Sequence, residues 1–199
     1  MKILNLYSGL GLGRSLWGIE HDITAVEIDE RVANKYSTIY PQDKVIVADA
    51  HEYLLDHYKE FDFILSTPPC PSHSRTNYFT NSIRKRSVYP DMRLWQEIIF
   101  LNQFCKGPYC IENVISYYEP FIKPITIGRH YLWSNFIISK IDQPKNEIGS
   151  MDKGWNTANK IPLEIRNGLN PELGLHILNC AMGIKKINYK QPELFNLNQ

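Results

Sequence analysis

Strand-like and helix-like segments alternate along the first 111 residues, and no other feature of the chain constrains its fold as tightly. Apolar runs at 2–7, 23–28, 45–48, 61–65 and 109–111 read as strands. Between them, 14–20, 31–40, 52–59 and 92–105 read as helices, and the second of these stops at Pro41. Short strands separated by helix-sized connections predict a parallel, doubly wound α/β sheet of Rossmann-like type. Past residue 111 the pattern changes. Runs at 125–127 and 131–138 predict two adjacent strands, a hairpin; 142–161 reads as a polar loop and 171–183 as a closing helix. The division expected is a cofactor-binding and catalytic region at 1–138, an insert at 139–166, and a segment at 167–199 that completes the first region.

Length and charge narrow the options. A chain of 199 residues buries about 70% of its unfolded surface, so it needs no staples. A net charge of +1 gives no global basic field, so any contact with nucleic acid must come from a local patch. The four cysteines show no C-x-x-C pairing, which indicates neither zinc nor a disulfide framework. No signal peptide or membrane span is visible, and the expected location is the cytoplasm.

The candidate chemistry sits where strands end. Ser8-Gly9-Leu10-Gly11-Leu12-Gly13 follows the first strand and opens toward a helix, the entry that dinucleotide and adenosyl cofactors use. Glu27 closes the second strand, where a carboxylate suits ribose hydroxyls, and Asp49 closes the third, placed to accept from an adenine amine. Taken singly, either is equally a helix N-cap or a turn residue. Cys70 follows the fourth strand between Pro69 and Pro71. A lone cysteine is most often a buried structural residue. Here prolines stiffen the approach, and Ser72, His73, Ser74 and Arg75 follow, with His73 and Arg75 expected to favour the thiolate. Glu112-Asn113 ends the fifth strand, reading either as a cap or as a general acid beside the nucleophile. Cys105, Cys110 and Cys180 lie in apolar segments and read as core.

The ordered set Tyr7-Ser8-Gly9-Leu10-Gly11, Glu27-Ile28-Asp29, Asp49, Pro68-Pro69-Cys70, Glu112-Asn113-Val114 and Arg129 resembles the motifs of cytosine-5 DNA methyltransferases, and in wording the small members found in bacteriophages. The resemblance spans most of the chain. It implies S-adenosylmethionine as cofactor, with S-adenosylhomocysteine as product, in a bacterial or phage-infected host. It implies Tyr7 and Ile28 on the faces of the adenine, Glu27 on the ribose, and Asp49 on the amine. Gly9 and Gly11 would pass the methionine part, with Ser8, Leu12, Ala50 and Pro69 beside them. Leu94 would pack on the adenosine, and Asn170 would return to the cofactor. For catalysis it implies Cys70 adding to carbon 6 of cytosine, Glu112 holding N3 and the amino group, Asn113 positioning that loop, and Arg129 reaching the base carbonyl. The base would be flipped out of the helix.

After the cysteine, the resemblance implies a mobile loop at 72–89. Its Ser72, His73, Arg75, Arg84, Lys85 and Arg86, interleaved with Asn77, Tyr78 and Phe79, are expected to touch DNA. The chain departs from the family pattern in its Gly-Leu-Gly-Leu-Gly turn, in Pro71-Ser72-His73-Ser74, and in a single Arg129 beside His130. Its recognition region, 139–166, is too short for a core of its own. Duplex or single-stranded DNA with a short target is the expected partner. The same chemistry on RNA, or a cofactor-binding partner of another methyltransferase, are the alternatives.

Overall fold

A computed structural model describes residues 1–83, 87–141, 162, 165 and 167–183 of the chain, with 79–82 described by backbone alone. Among them, seven strands form one sheet: β1 (Lys2–Leu6), β2 (Asp22–Glu27), β3 (Lys44–Val47), β4 (Phe63–Ser66), β5 (Tyr109–Val114), β6 (Ile125–Ile127) and β7 (His130–Ser134). Their order is β3-β2-β1-β4-β5-β7-β6. The first five are parallel, and β7 runs antiparallel to both β5 and β6. This is the doubly wound, Rossmann-like α/β sheet that the alternation predicts. The hairpin is also present: β6 and β7 are joined by Gly128 and Arg129, with Gly128 at φ +57°, the conformation a two-residue hairpin asks of its first turn residue.

Strand alternation builds a core on each face. Ile3, Ile23, Phe63, Leu65, Cys110 and Leu132 point one way, against helix α5 (Pro171–Ala181) through Leu173, Ile177 and Leu178. Leu4, Leu6, Val26, Ile64, Tyr109 and Ile111 point the other way, against α2 (Ala50–His57) and α4 (Arg93–Phe104). Strands buried on both faces are the mark of a parallel sheet between helices. Helix α1 (Glu30–Ile39) packs Tyr36 over Ala25 on the α5 side. Asp29, Asp49 and Asn170 cap α1, α2 and α5: Asp29 accepts from the Arg31 amide, Asp49 from that of His51, and Asn170 from those of Glu172 and Leu173. No helix of the described residues is long and apolar enough to cross a membrane.

Three expectations need correction. The helix expected at 14–20 is a 3-10 turn, Leu12–Arg14. Seven residues containing Gly18 are too few to sustain an α-helix, and the Arg14 side chain turns inward to Asp43. The loop after Cys70 holds a helix, α3 (Thr76–Ile83), built from weak helix formers whose spacing gives no clear signal. The fifth strand runs through Glu112 and Asn113 to Val114, so these two residues pair with β7 and cap nothing.

Gly11 is fixed by packing. It sits at φ +74°, and a Cβ there would lie 2.6 Å from the rings of Tyr36 and Tyr40. Gly11→Ala is expected to cost about 1–3 kcal/mol in urea unfolding, because neither buried ring has room to retreat. A loss under about 0.5 kcal/mol would mean that the rings yield.

Candidate active site

The sheet order defines a crevice. From β1 the chain winds outward through β2 to β3, then restarts with β4 on the other side of β1. Ligands of open α/β sheets bind outside the strand ends at such a switch point. Tyr7, Pro68, Pro69, His73, Arg93 and Leu94 line the crevice here. Tyr7 leaves β1 at φ +55°, the one non-glycine positive φ among the described residues.

The glycine turn is tied to the end of β2. Glu27 accepts from the Gly9 amide at 2.9 Å and from the Asp29 amide at 3.0 Å, so its carboxylate organises the turn. Asp49 accepts from the His51 amide at 2.9 Å and forms an ion pair with Arg93 at 3.1 Å. Both carboxylates therefore do the structural work of caps and turn anchors. Ala50 is buried at the start of α2.

An adenosyl ligand fits what remains. The Ser8 hydroxyl is buried without a hydrogen-bond partner among the described residues. A Cβ on Gly9 would meet nothing within 4 Å, so the turn has an open face. Ile28 leaves an apolar side chain 67% exposed directly after Glu27. Three of the expected contacts are placed elsewhere. Gly11 faces Tyr36 and Tyr40. Leu12 is buried, and a Cβ on Gly168 would lie 2.6 Å from it, so it faces the start of α5. The Asn170 amide oxygen is spent on the α5 cap. The resemblance places Asn170 at the cofactor; the contacts of this segment with the glycine turn are packing contacts of Gly168 and Leu169.

One strand over, the nucleophile loop meets β5. Asn113 Nδ2 donates to the Pro68 carbonyl at 3.0 Å, and Asn113 Oδ1 accepts from the Val114 amide at 3.0 Å. Asn113 thus fastens the Pro68-Pro69-Cys70 turn to the end of β5. Glu112 faces the opposite side of the strand from Ile111 and is buried beside His130, with His130 Nδ1 2.6 Å from Glu112 Oε1. The register explains this pair. Glu112 opposes Leu132 and Val114 opposes His130, so Glu112 and His130 are diagonal neighbours on one face. The hairpin turn brings Arg129 to the same place, close enough for its charge to act on Cys70.

The expectation that His73 and Arg75 favour the thiolate does not hold. Burial, then the Glu112 carboxylate, push the Cys70 thiol up to about 11, against the pull of Arg129. His73 is buried, and that burial pushes its pKa down; its Nδ1 lies 2.6 Å from the Tyr118 hydroxyl. Arg75 is exposed and is not among the groups acting on the thiol. In the free protein, alkylation of Cys70 by iodoacetamide is therefore expected to rise about tenfold per pH unit from neutrality toward about 11. Peptide mapping reads this directly, and a plateau near neutral pH would contradict it.

The same contacts reassign the expected DNA residues. His73 is a tie, since its carbonyl also accepts from the Tyr117 amide. Ser72 accepts from the Asp91 amide at 3.1 Å and closes the base of the loop. Arg75 alone of the described set stands in solvent. Arg84, Lys85 and Arg86 lie outside the described residues, as does most of the expected recognition region at 139–166.

One buried acid went unnoticed in the sequence. Glu97 is 1% exposed and accepts from the Tyr7 hydroxyl at 2.5 Å and the Ser66 hydroxyl at 2.7 Å, with His51 Nδ1 at 3.1 Å. The signal was present: Leu94, Ile98 and Leu101 set the buried stripe of α4, and Glu97 falls on it. His51 is pushed up by its hydrogen bond to Glu97.

No family model and no curated protein matches the chain. Solved structures do. A mutant of DNMT2 from Spodoptera frugiperda is 26% identical with a TM-score of 0.42, over 57% of this chain and 35% of that one. A DNA modification methyltransferase encoded within an E. coli prophage is 21% identical with a TM-score of 0.37, over 60% of this chain and 33% of that one. A SAM-dependent methyltransferase from Agrobacterium tumefaciens is 14% identical with a TM-score of 0.41, over 61% and 40%. The chain spans about a third of the length of the first two.

Proposed function

We propose that the chain is an S-adenosylmethionine-dependent methyltransferase acting on carbon 5 of cytosine in DNA. The observation that carries the reading is the junction of the Cys70 turn with β5: Asn113 binds the Pro68 carbonyl, and Glu112 and Arg129 both act on the Cys70 thiol. Tyr7, Ser8, Gly9, Glu27, Ile28, Asp49 and Leu94 would hold the cofactor. When bound, it supplies an electrophilic methyl group.

The thiol makes a poor nucleophile reactive. Carbon 5 of cytosine has little carbanion character on its own. Cys70 Sγ forms a bond to carbon 6 as its proton passes to the Glu112 carboxylate, and the 5,6 π pair moves toward carbon 5 and N3. Glu112, held by His130, delivers a proton to N3 and accepts from the amino group. Carbon 5 would then take the methyl group, whose former bonding pair would stay with the sulfur of S-adenosylhomocysteine. Water then takes the carbon-5 proton, the freed pair restores the 5,6 double bond, the carbon 6–sulfur pair returns to Cys70, and the N3 proton returns through Glu112 to the thiolate. Because burial and the Glu112 carboxylate push the free thiol up to about 11, deprotonation belongs to the bound complex, where Arg129 and the N3 proton offset the new negative charge. Inside a duplex the target must be turned out of the stack, a cost that an unpaired strand avoids.

Incubation with methyl-labelled S-adenosylmethionine and, separately, duplex DNA, single-stranded DNA and transfer RNA tests the reading. The expected product is 5-methylcytosine in DNA. Label confined to transfer RNA would move the substrate to RNA. No label in any of the three, with S-adenosylhomocysteine still bound, would make the chain a cofactor-binding partner.

A further inference from the structure

We infer that Glu97 is a positioning residue that sets the spacing between the cofactor crevice and the Cys70 turn. This rests on the proposed methyltransferase reading. The three groups that meet at its carboxylate come from three separate elements, and each lies within four residues of a proposed site residue. Tyr7 precedes the Ser8-Gly9 turn, His51 follows Asp49 and Ala50, and Ser66 ends β4 four residues before Cys70. Glu97 itself lies three residues after Leu94, which lines the crevice. One carboxylate therefore ties the ends of β1 and β4 and the start of α2 to α4.

Stability alone does not call for an acid at this position. A carboxylate in an apolar stripe loses its hydration, and apolar side chains of similar volume often serve a core as well or better. What an apolar residue cannot do is fix three polar groups at defined distances. Tyr7 shows the need most clearly. Its backbone occupies the left-handed region, which a tyrosine keeps only when its surroundings hold it there. Its hydroxyl contact with Glu97 is one such restraint, and its ring lines the crevice.

The test uses the full chain with Glu97→Ala, Glu97→Gln and Tyr7→Phe. The readouts are S-adenosylhomocysteine affinity by calorimetry, KM and kcat for S-adenosylmethionine, and thermal unfolding. Glu97→Ala is expected to raise the Kd and the cofactor KM about tenfold or more, with Glu97→Gln intermediate because it keeps the shape and part of the bonding. Tyr7→Phe is expected to raise both about threefold. For all three, kcat at saturating cofactor is expected to fall far less than KM rises. Should Glu97→Ala fail to fold, the other two variants carry the same comparison. A purely structural Glu97 would lower the unfolding temperature with Kd and KM within about twofold of wild type, and that result overturns the inference. Absence of S-adenosylhomocysteine binding by the wild type would instead remove the methyltransferase reading beneath it.

Discussion

Replacing Cys70 with alanine is expected to lower methyl transfer by about 10^4-fold or more, because no other group can form the bond to carbon 6. Cys110 is fully buried within β5, Cys105 follows α4, and Cys180 lies on α5. None stands at the end of β4. Mass spectrometry with a 5-fluorocytosine oligonucleotide is expected to show a covalent complex with wild type and none with Cys70→Ala, since fluorine blocks the final loss from carbon 5. The same variant is expected to bind S-adenosylhomocysteine within about twofold of wild type, because the crevice is lined by Pro68 and Pro69 and not by the thiol. An adduct that survives the substitution would rule out Cys70 as the nucleophile.

The high thiol pKa sharpens this expectation. An enzyme that kept a free thiolate at neutral pH would alkylate readily without substrate. Here burial and Glu112 oppose ionisation. On the proposed mechanism, reactivity is tied to the arrival of a base that can take up charge at N3.

What the sequence made legible follows from where its signals are local. The strand ends carrying Glu27, Asp49 and Cys70 could be read because hydrophobic runs stop abruptly and a polar residue follows; the same rule ended β5 too early, at Ile111. The parallel sheet was legible for the same reason. What was not legible depends on contacts between distant residues. The pairing of His130 with Glu112 is set by the β5–β7 register, and the clustering of Tyr7, His51 and Ser66 on Glu97 by the placement of α4 over the sheet. His73 looked like a partner for the thiol because it is three residues away; the turn sends it to Tyr118 instead. Gly11 and Leu12 looked like cofactor contacts by motif position, but their side-chain sides face the packing beneath the turn.

Asp43→Ala is expected to cost about 3–5 kcal/mol of folding stability. Asp43 accepts from Arg14 Nε at 2.7 Å and Nη2 at 2.5 Å, and from the Tyr36 hydroxyl at 2.7 Å. The Arg14 guanidinium also lies 4.2 Å over the Tyr40 ring, and both charged side chains are almost wholly removed from solvent. Removing the acid leaves a buried cation whose hydration has already been lost, and that uncompensated charge is the main cost. Arg14→Met combined with Asp43→Leu removes both charges, so the double variant is expected to recover most of the loss in urea unfolding. Raising the salt to about 1 M is expected to change the single-variant loss little, because screening does not reach a buried pair. The pair also bears on the crevice: Tyr40 donates to the Gly11 carbonyl at 3.1 Å, so the glycine turn rests on the aromatic floor that Arg14 and Asp43 lock. The double variant is therefore expected to regain stability but to bind S-adenosylhomocysteine more weakly than wild type. A single-variant loss below about 1 kcal/mol would show that water reaches Arg14 and that the turn does not depend on the pair.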